Sequence, residues 1–408
     1  MPSRPLRSAT LLGSSSGRNA GDAALMSGIM DMTDQACGEP LTWEIPTIAP
    51  GFVRRNYSNQ VRPVGMLPWN LAFKFFGVPT YRSMVRTDMS LIFDAVLFDR
   101  SLYNPLFNFL STLYAFLPAM RRRGKLLGCF DVGAGPIDTP AGARMLRRVG
   151  EQMDFIAVRD QGSLDVFREV GLEHPRLIVT ADAAINCPAA PDARVDELLH
   201  GLGIAPGREF LAINVNKYLD TWSRPRPKQA LTLERFLTVY AEALNPLADQ
   251  LGVPLLFVST QHHDVEITRA LMARVTRGPH RAFIGNHDHS HYEIKGVLNR
   301  SALLFAMRLH AMILASSGLA PVSGLAYQPK NQYFFDMLGL SEHMMQFRDF
   351  DPAALREHVL KGWNARAQTR AQLASVMPGM RESAAKPARL IAALRAGQDL
   401  DTAWRSLR

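Results

Sequence analysis

The stretch Ser8-Ala-Thr-Leu-Leu-Gly13-Ser-Ser-Ser-Gly17-Arg18-Asn19-Ala20-Gly21-Asp22 is where the fold first declares itself. The apolar run Ser8–Gly13 reads as a strand. A loop of glycine and serine follows, and a helical pattern opens at about Ala23. Strand, tight loop and helix in that order begin a βα unit. The order returns late in the chain, at Ala302-Leu-Leu-Phe-Ala-Met-Arg308-Leu309-His310-Ala-Met-Ile-Leu-Ala315. There an apolar strand ends in Arg308, and an apolar helix starts near His310.

Between these two stretches the same alternation continues. Strands are expected at 91–98, 125–132, 154–158 and 176–179, with a helix over 163–170. The prolines of Cys187-Pro-Ala-Ala-Pro191 then interrupt the chain. A second series follows, with strands at 210–215, 254–259, 302–307 and 321–325. Helices are expected at 233–251, kinked at Pro246, at 265–275 and at 310–316. Apolar strands alternating with helices argue for parallel sheets covered by helices. The expectation is therefore α/β, with two Rossmann-like doubly wound domains facing a cleft: residues 1–190 and 191–350. A helical tail over 351–408, broken at Pro378 and Pro387, would pack back on the first domain.

The chain has 408 residues, enough for two or three domains at about 150 residues each. Cys37, Cys129 and Cys187 are far apart and form no C-x-x-C pair, which excludes a disulfide framework and a four-thiolate zinc site as organising features. That pattern fits a reducing compartment, and cytoplasmic placement is expected. The apolar run Ala9–Leu12 is too short for a signal peptide. Forty-six basic against 37 acidic residues leave a net charge of +9, which favours acidic partners. The basic residues are scattered and no nucleic-acid-binding signature is seen, so a phosphorylated or carboxylated substrate is the better reading.

Several constellations could carry chemistry. In the loop Gly13–Asp22, glycines let backbone N–H groups approach a ligand, with a helix N-terminus behind them. The alternative is a tight turn with Asp22 as helix N-cap. At the second junction, Arg308 and the unpaired N–H groups of the following turn make a site for phosphate or carboxylate, with His310 placed to exchange a proton. Pro321-Val-Ser-Gly-Leu-Ala-Tyr327-Gln-Pro-Lys330 ends another strand and could bring Lys330 to the same pocket, unless Lys330 is an ordinary surface lysine. Arg159 stands at a strand end, with Ser163 available to cap the next helix; an Arg159–Asp160 pair that only steadies a loop is the alternative. The clusters Gln261–Asp264 and His287-Asp-His-Ser-His291 are weak metal signals, and no metal is expected.

Taken together, these segments resemble the polysaccharide pyruvyl transferase family. The resemblance lies in the N-x-G-D loop Asn19–Asp22, the Gly133-Ala-Gly135-Pro136-Ile137 turn, Arg159-Asp160-x-x-Ser163, and Arg308-Leu309-His310 with Tyr327-Gln-Pro-Lys330 downstream. It covers roughly residues 8 to 340. It implies a glycosyltransferase-B-like pair of domains, the first on the acceptor side and the second on the donor side. The donor would be phosphoenolpyruvate and the acceptor a sugar diol, giving a pyruvate ketal and phosphate without any cofactor. Residue by residue, His310 would be the catalytic acid/base. Arg159, Arg308 and Lys330 would hold the donor, with the Leu309 backbone assisting. Asn19, Gly21, Asp22 and Tyr327 would complete the substrate site. The sequence departs from the family where a glycine-rich turn is expected after the strand ending near Phe98; it reads Phe98-Asp-Arg-Ser-Leu-Tyr-Asn104.

The segment 52–120 is rich in aromatics, including Trp69, Phe73, Phe75 and Phe76 around Lys74, and Ser101–Met120 carries no charge before Arg121–Arg123. Asn104, Pro105, Asn108 and Pro118 argue against a spanning helix. Two readings remain: contact with the inner membrane leaflet, where a lipid-linked acceptor would be met, or a buried helix over 106–117 packing on the sheet. The competing activity is that of a nucleotide-sugar glycosyltransferase of the same architecture.

Overall fold

The computed structural model of the chain describes residues 6–66, 77–99, 109–217 and 232–407. It divides into two compact units. The first comprises Met1–Gly17, Asp22–Cys187 and Gly379–Arg408, and the second Arg18–Gly21 and Pro188–Pro378.

In the first unit the described strands are β1 (Ser8–Leu12), β2 (Thr42–Thr47), β3 (Val61–Gly65), β4 (Met89–Asp99), β5 (Leu126–Ile137), β6 (Phe155–Val158) and β7 (Leu177–Val179). They form one sheet in the order β3-β2-β1-β4-β5-β6-β7, every neighbouring pair parallel. The order reverses between β1 and β4, the switch point at which doubly wound sheets bind ligands beyond the strand carboxyl ends. β4 and β5 pair with register shifts around Asp94 and Asp131. Both aspartates take left-handed backbone angles, φ 65° and 60°. For non-glycine residues these conformations cost about 1–3 kcal/mol each.

The second unit repeats the plan with β8 (Leu211–Asn214), β9 (Leu255–Ser259), β10 (Arg281–Gly285), β11 (Leu303–Ala306), β12 (Val322–Ala326) and β13 (Met344–Gln346). Their order is β10-β9-β8-β11-β12-β13, all parallel, with the reversal between β8 and β11. β8, β9, β11 and β12 are buried along their whole length. This is why they read as unbroken apolar runs rather than alternating ones. Leu211, Ile213, Phe257, Phe305 and Tyr240 anchor the core of this unit.

Two expectations change, and the buried-helix reading of 106–117 is met over its described residues. Residues 351–378 belong to the second unit, and only from Gly379 does the C-terminal segment join the first, so it is not a single separate tail. Pro378 lies inside the helix Arg366–Ala384 instead of breaking it, while Pro387 sits at the start of the next helix, where a missing N–H costs nothing. The helix Phe109–Arg122 buries Phe109, Leu110, Leu113, Leu117 and Met120 in the first core and exposes Tyr114, so it is amphipathic and packed on its own domain. No helix among the described residues is long and apolar enough to cross a membrane. Trp69, Phe73, Lys74, Phe75, Phe76 and residues 101–108 lie outside the described residues.

One buried group in the second unit has a direct pH consequence. His291, the first residue of the helix His291–Asn299, is 2% exposed. Burial, and then the Lys295 charge, push its pKa down from 6.5 to about 3. Below pH 6.5 the unfolded chain takes up a proton that the fold refuses. Stability therefore falls as pH drops from 6.5 toward 3, by up to about 1.4 kcal/mol per pH unit. His291→Gln should flatten that slope relative to wild type, measured as urea midpoints between pH 7 and 4.5.

Candidate active site

The Arg308 junction is built at the switch point of the second sheet. β11 ends at Ala306, Arg308 is the N-cap of the helix Leu309–Ser316, and no side chain caps that helix. A helix start of this kind directs its first backbone N–H groups toward the site, an arrangement that suits an anion. The helix starts one residue earlier than the sequence suggested, so Leu309 and His310 both lie in its first turn. Neighbouring β8 fixes the junction. Asn214 Oδ1 accepts from Arg308 N at 3.1 Å, and the Asn214 carbonyl accepts from Met307 N at 3.0 Å. Asn214 Nδ2 donates to the Val258 carbonyl at 2.9 Å, tying β8 to β9.

The Arg308 side chain is set by Asp264. Arg308 Nε donates to Asp264 Oδ2 at 2.7 Å and Nη2 to Oδ1 at 3.0 Å. Asp264 is fully buried, whereas the Arg308 side chain keeps 20% exposure. His310 is 9% exposed.

The loop Arg18–Gly21 comes from the N-terminal end of the chain but belongs to this second unit. His262 N donates to the Arg18 carbonyl at 2.9 Å, Ala20 N donates to the Thr260 carbonyl at 2.8 Å, and Asn19 forms an antiparallel bridge with Gln261. Asn19 Oδ1 accepts from Gly21 N at 2.9 Å. The helix accordingly opens at Ala20, and Asp22 sits within its first turn, so Asn19 and not Asp22 takes the capping part. Gly21 lies against His310: a Cβ there would stand 2.2 Å from His310 Cβ, Cγ and Nδ1. The glycine that sequence reasoning gave to substrate instead makes room for the imidazole. Gly21→Ala is expected to displace that ring, lower kcat by about 10²-fold and cost about 1–3 kcal/mol through overpacking. Steady-state kinetics and a thermal melt on the same preparation check both.

Lys330, half-buried, lies in the first turn of the helix Pro329–Leu338, which follows β12 and also has no side-chain cap. The next residue, Asn331, is fully buried, and its Nδ2 donates to the Met307 carbonyl at 2.7 Å. That bond ties the Lys330 turn to the Arg308 junction. Tyr327 packs against the second core.

Arg159 stands in the first unit, and its surroundings differ from those expected of a donor clamp. It is 5% exposed. Its Nη1 lies 3.4 Å from Asp182 Oδ2 and 3.8 Å from Asp94 Oδ1. Burial would lower its pKa, but Asp182, Asp94, Asp131 and Asp160 together raise it above the ordinary arginine value. Asp131 is 1% exposed, and burial, followed by the Asp182 charge, holds its carboxyl above the usual carboxylate range. An incoming phosphate or carboxylate would meet this excess of acids. The helix cap expected of Ser163 is supplied by Asp160, whose carboxylate accepts from Ser163 N at 2.7 Å. Ser163 Oγ instead accepts from Ala134 N at 3.1 Å.

The histidine-rich segment is not extended. Ser290 and Glu293 form a capping box, and His291 begins a helix. No group of three or more His, Cys, Asp or Glu among the described residues is placed to hold a metal ion. The residues that sequence reasoning missed as site elements are Asp264, read only as part of a weak metal signal, Asn214 and Asn331. Each follows a strand of the second sheet or ends one, which was the available signal.

Comparison with solved structures places the fold among known enzymes. A putative UDP-N-acetylglucosamine 2-epimerase from Listeria monocytogenes is similar, with TM-score 0.63 and 12% identity over 97% of this chain and 98% of that one. Anabaena Alr3699/HepE in complex with UDP and glucose matches with TM-score 0.55 and 13% identity over 98% of both chains. The UDP-N-acetylglucosamine 2-epimerase of Neisseria meningitidis, bound to UDP-GlcNAc, matches with TM-score 0.59 and 10% identity over 93% and 97%. At these identities the likeness shows the fold alone: two Rossmann-like α/β domains of the glycosyltransferase-B-like kind. No curated protein matches the sequence. The family model for polysaccharide pyruvyl transferase matches residues 19–329, from the Asn19 loop through the Arg308–His310 junction to the edge of the Lys330 helix. The chain belongs to the polysaccharide pyruvyl transferase family.

Proposed function

We propose that the protein transfers the enolpyruvyl group of phosphoenolpyruvate to two hydroxyls of a sugar, giving a pyruvate ketal and phosphate. The observation that carries this is the juxtaposition of an oriented arginine, an uncapped helix N-terminus and an imidazole within three consecutive residues, Arg308 to His310. Phosphoenolpyruvate bears two anionic groups on a three-carbon frame, and such a donor needs cations and N–H groups converging on it. Arg308, the Leu309–His310 turn and Lys330 supply them. Asn19 and Tyr327 complete the substrate site on this unit, and Gly21 contributes by seating His310.

His310 gives a proton to the methylene carbon, which becomes the ketal methyl group. The adjacent carbon turns electrophilic, and a sugar hydroxyl adds to it, returning its proton to His310. The C–O bond to phosphate then breaks, and the second hydroxyl closes the ring as its proton leaves with phosphate. One group thus acts as acid and then as base, a part that suits histidine. Arg159, already matched by carboxylates, braces the first unit instead of gripping the donor. The acceptor is a surface polysaccharide or its lipid-linked precursor, met at the cytoplasmic membrane face. Flotation with anionic vesicles tests that last part, and no association would remove it.

Phosphate release from phosphoenolpyruvate, measured with and without a panel of nitrophenyl and lipid-linked sugars, tests the activity. Release that depends on a particular sugar is expected. Transfer from a UDP-sugar with phosphoenolpyruvate untouched would instead identify a glycosyltransferase.

A further inference from the structure

We propose that Asp264 is a positioning residue that aims Arg308 at the anionic group of the donor; this rests on the reading of Arg308 as a donor ligand given above. Asp264 closes the short 3-10 turn His262–Asp264, which leads directly into the helix Val265–Arg274, and its side chain makes no capping bond to that helix. Here both carboxylate oxygens turn away, to Arg308 Nε and Nη2, and Oδ1 also accepts from Lys217 N at 3.0 Å. The fully buried carboxylate is thereby fixed from two directions.

The consequence for Arg308 is geometric. Its backbone N–H is held by Asn214, and the Nε/Nη2 edge of its guanidinium is held by Asp264. A planar fork held along one edge lies in a defined plane. An anion therefore meets a guanidinium whose plane is already set, without that long side chain having to be ordered first. Lysine could not be held this way, since it has no planar fork.

Binding of inorganic phosphate to the full-length protein, followed by titration calorimetry, tests the proposal whether or not phosphoenolpyruvate is turned over. Asp264→Asn is expected to weaken phosphate binding by about 10- to 100-fold, and to raise KM for phosphoenolpyruvate by a similar factor with a smaller change in kcat. In an Arg308→Ala background the same substitution should leave phosphate affinity within about twofold, because the group it aims is gone. Asp264→Glu, which keeps the charge but advances the carboxylate by one methylene, should also weaken binding while the circular dichroism stays that of the wild type. This second variant carries the test if Asp264→Asn fails to fold. Unchanged phosphate affinity in a folded Asp264 variant, or an equal loss with Arg308 absent, overturns the positioning role. Absence of sugar-dependent phosphate release from the wild type, with the Asp264 effect on phosphate binding intact, would instead count against the proposed reaction.

Discussion

Replacing His310 with alanine is expected to slow sugar-dependent phosphate release from phosphoenolpyruvate by about 10²- to 10⁴-fold, the usual contribution of a positioned acid/base. The loss should fall on kcat. The donor's anionic groups are assigned to Arg308, Lys330 and the backbone of the Leu309 turn, and none of these is removed. Gly21 and the uncapped helix start would remain, so the variant should still fold. Steady-state kinetics together with phosphate-binding calorimetry separate the two effects. A variant that binds phosphate normally but does not turn over supports His310 as the proton carrier. Full activity in His310→Ala would remove the imidazole from the mechanism.

The second large effect is predicted in the first unit, on stability. Arg159→Ala would leave Asp94 and Asp182 buried beside Asp131 without their guanidinium. Removing one partner of a buried ion pair costs about 3–5 kcal/mol, because the remaining charges stay desolvated and unmatched. The stranded carboxylates would have raised pKa values in the folded variant. Their penalty is therefore full only above those raised folded-state values, and it shrinks as pH falls from there toward the unfolded carboxylate pKa. Urea midpoints of variant and wild type should converge toward pH 4. If Arg159 gripped the donor, the substitution would mainly raise KM and leave the midpoint near wild type.

What the sequence revealed, and what it hid, follows from how local each signal is. β8, β9, β11 and β12 are buried on both faces, so their apolar runs mark them without any tertiary knowledge. β2 and β3 escaped notice because Glu44 with Pro46, and Arg62 with Pro63, interrupt them. Proline is tolerated toward a sheet edge, and β3 is an edge strand. β13 has three residues, too few to show a period. The same distinction governs the site. Arg308 and His310 announce themselves because strand, cation and helix start are contiguous. Asp264 lies far from Arg308 in sequence and meets it only because β9 and β11 flank β8. The Gly21–His310 contact is likewise invisible until the N-terminal loop is seen to belong to the second unit. Ser163 and Asp160 are both competent caps three residues apart, and sequence alone does not choose between them.

The most direct test of the central claim uses phosphoenolpyruvate labelled with carbon-13 at the enol carbon, incubated with the full-length protein and the preferred sugar. Carbon NMR should show the label moving from the enol to a ketal carbon on the sugar, with one phosphate released per ketal formed and neither product with His310→Ala. Phosphate released without a ketal, or a modified sugar carrying no label, would contradict the account.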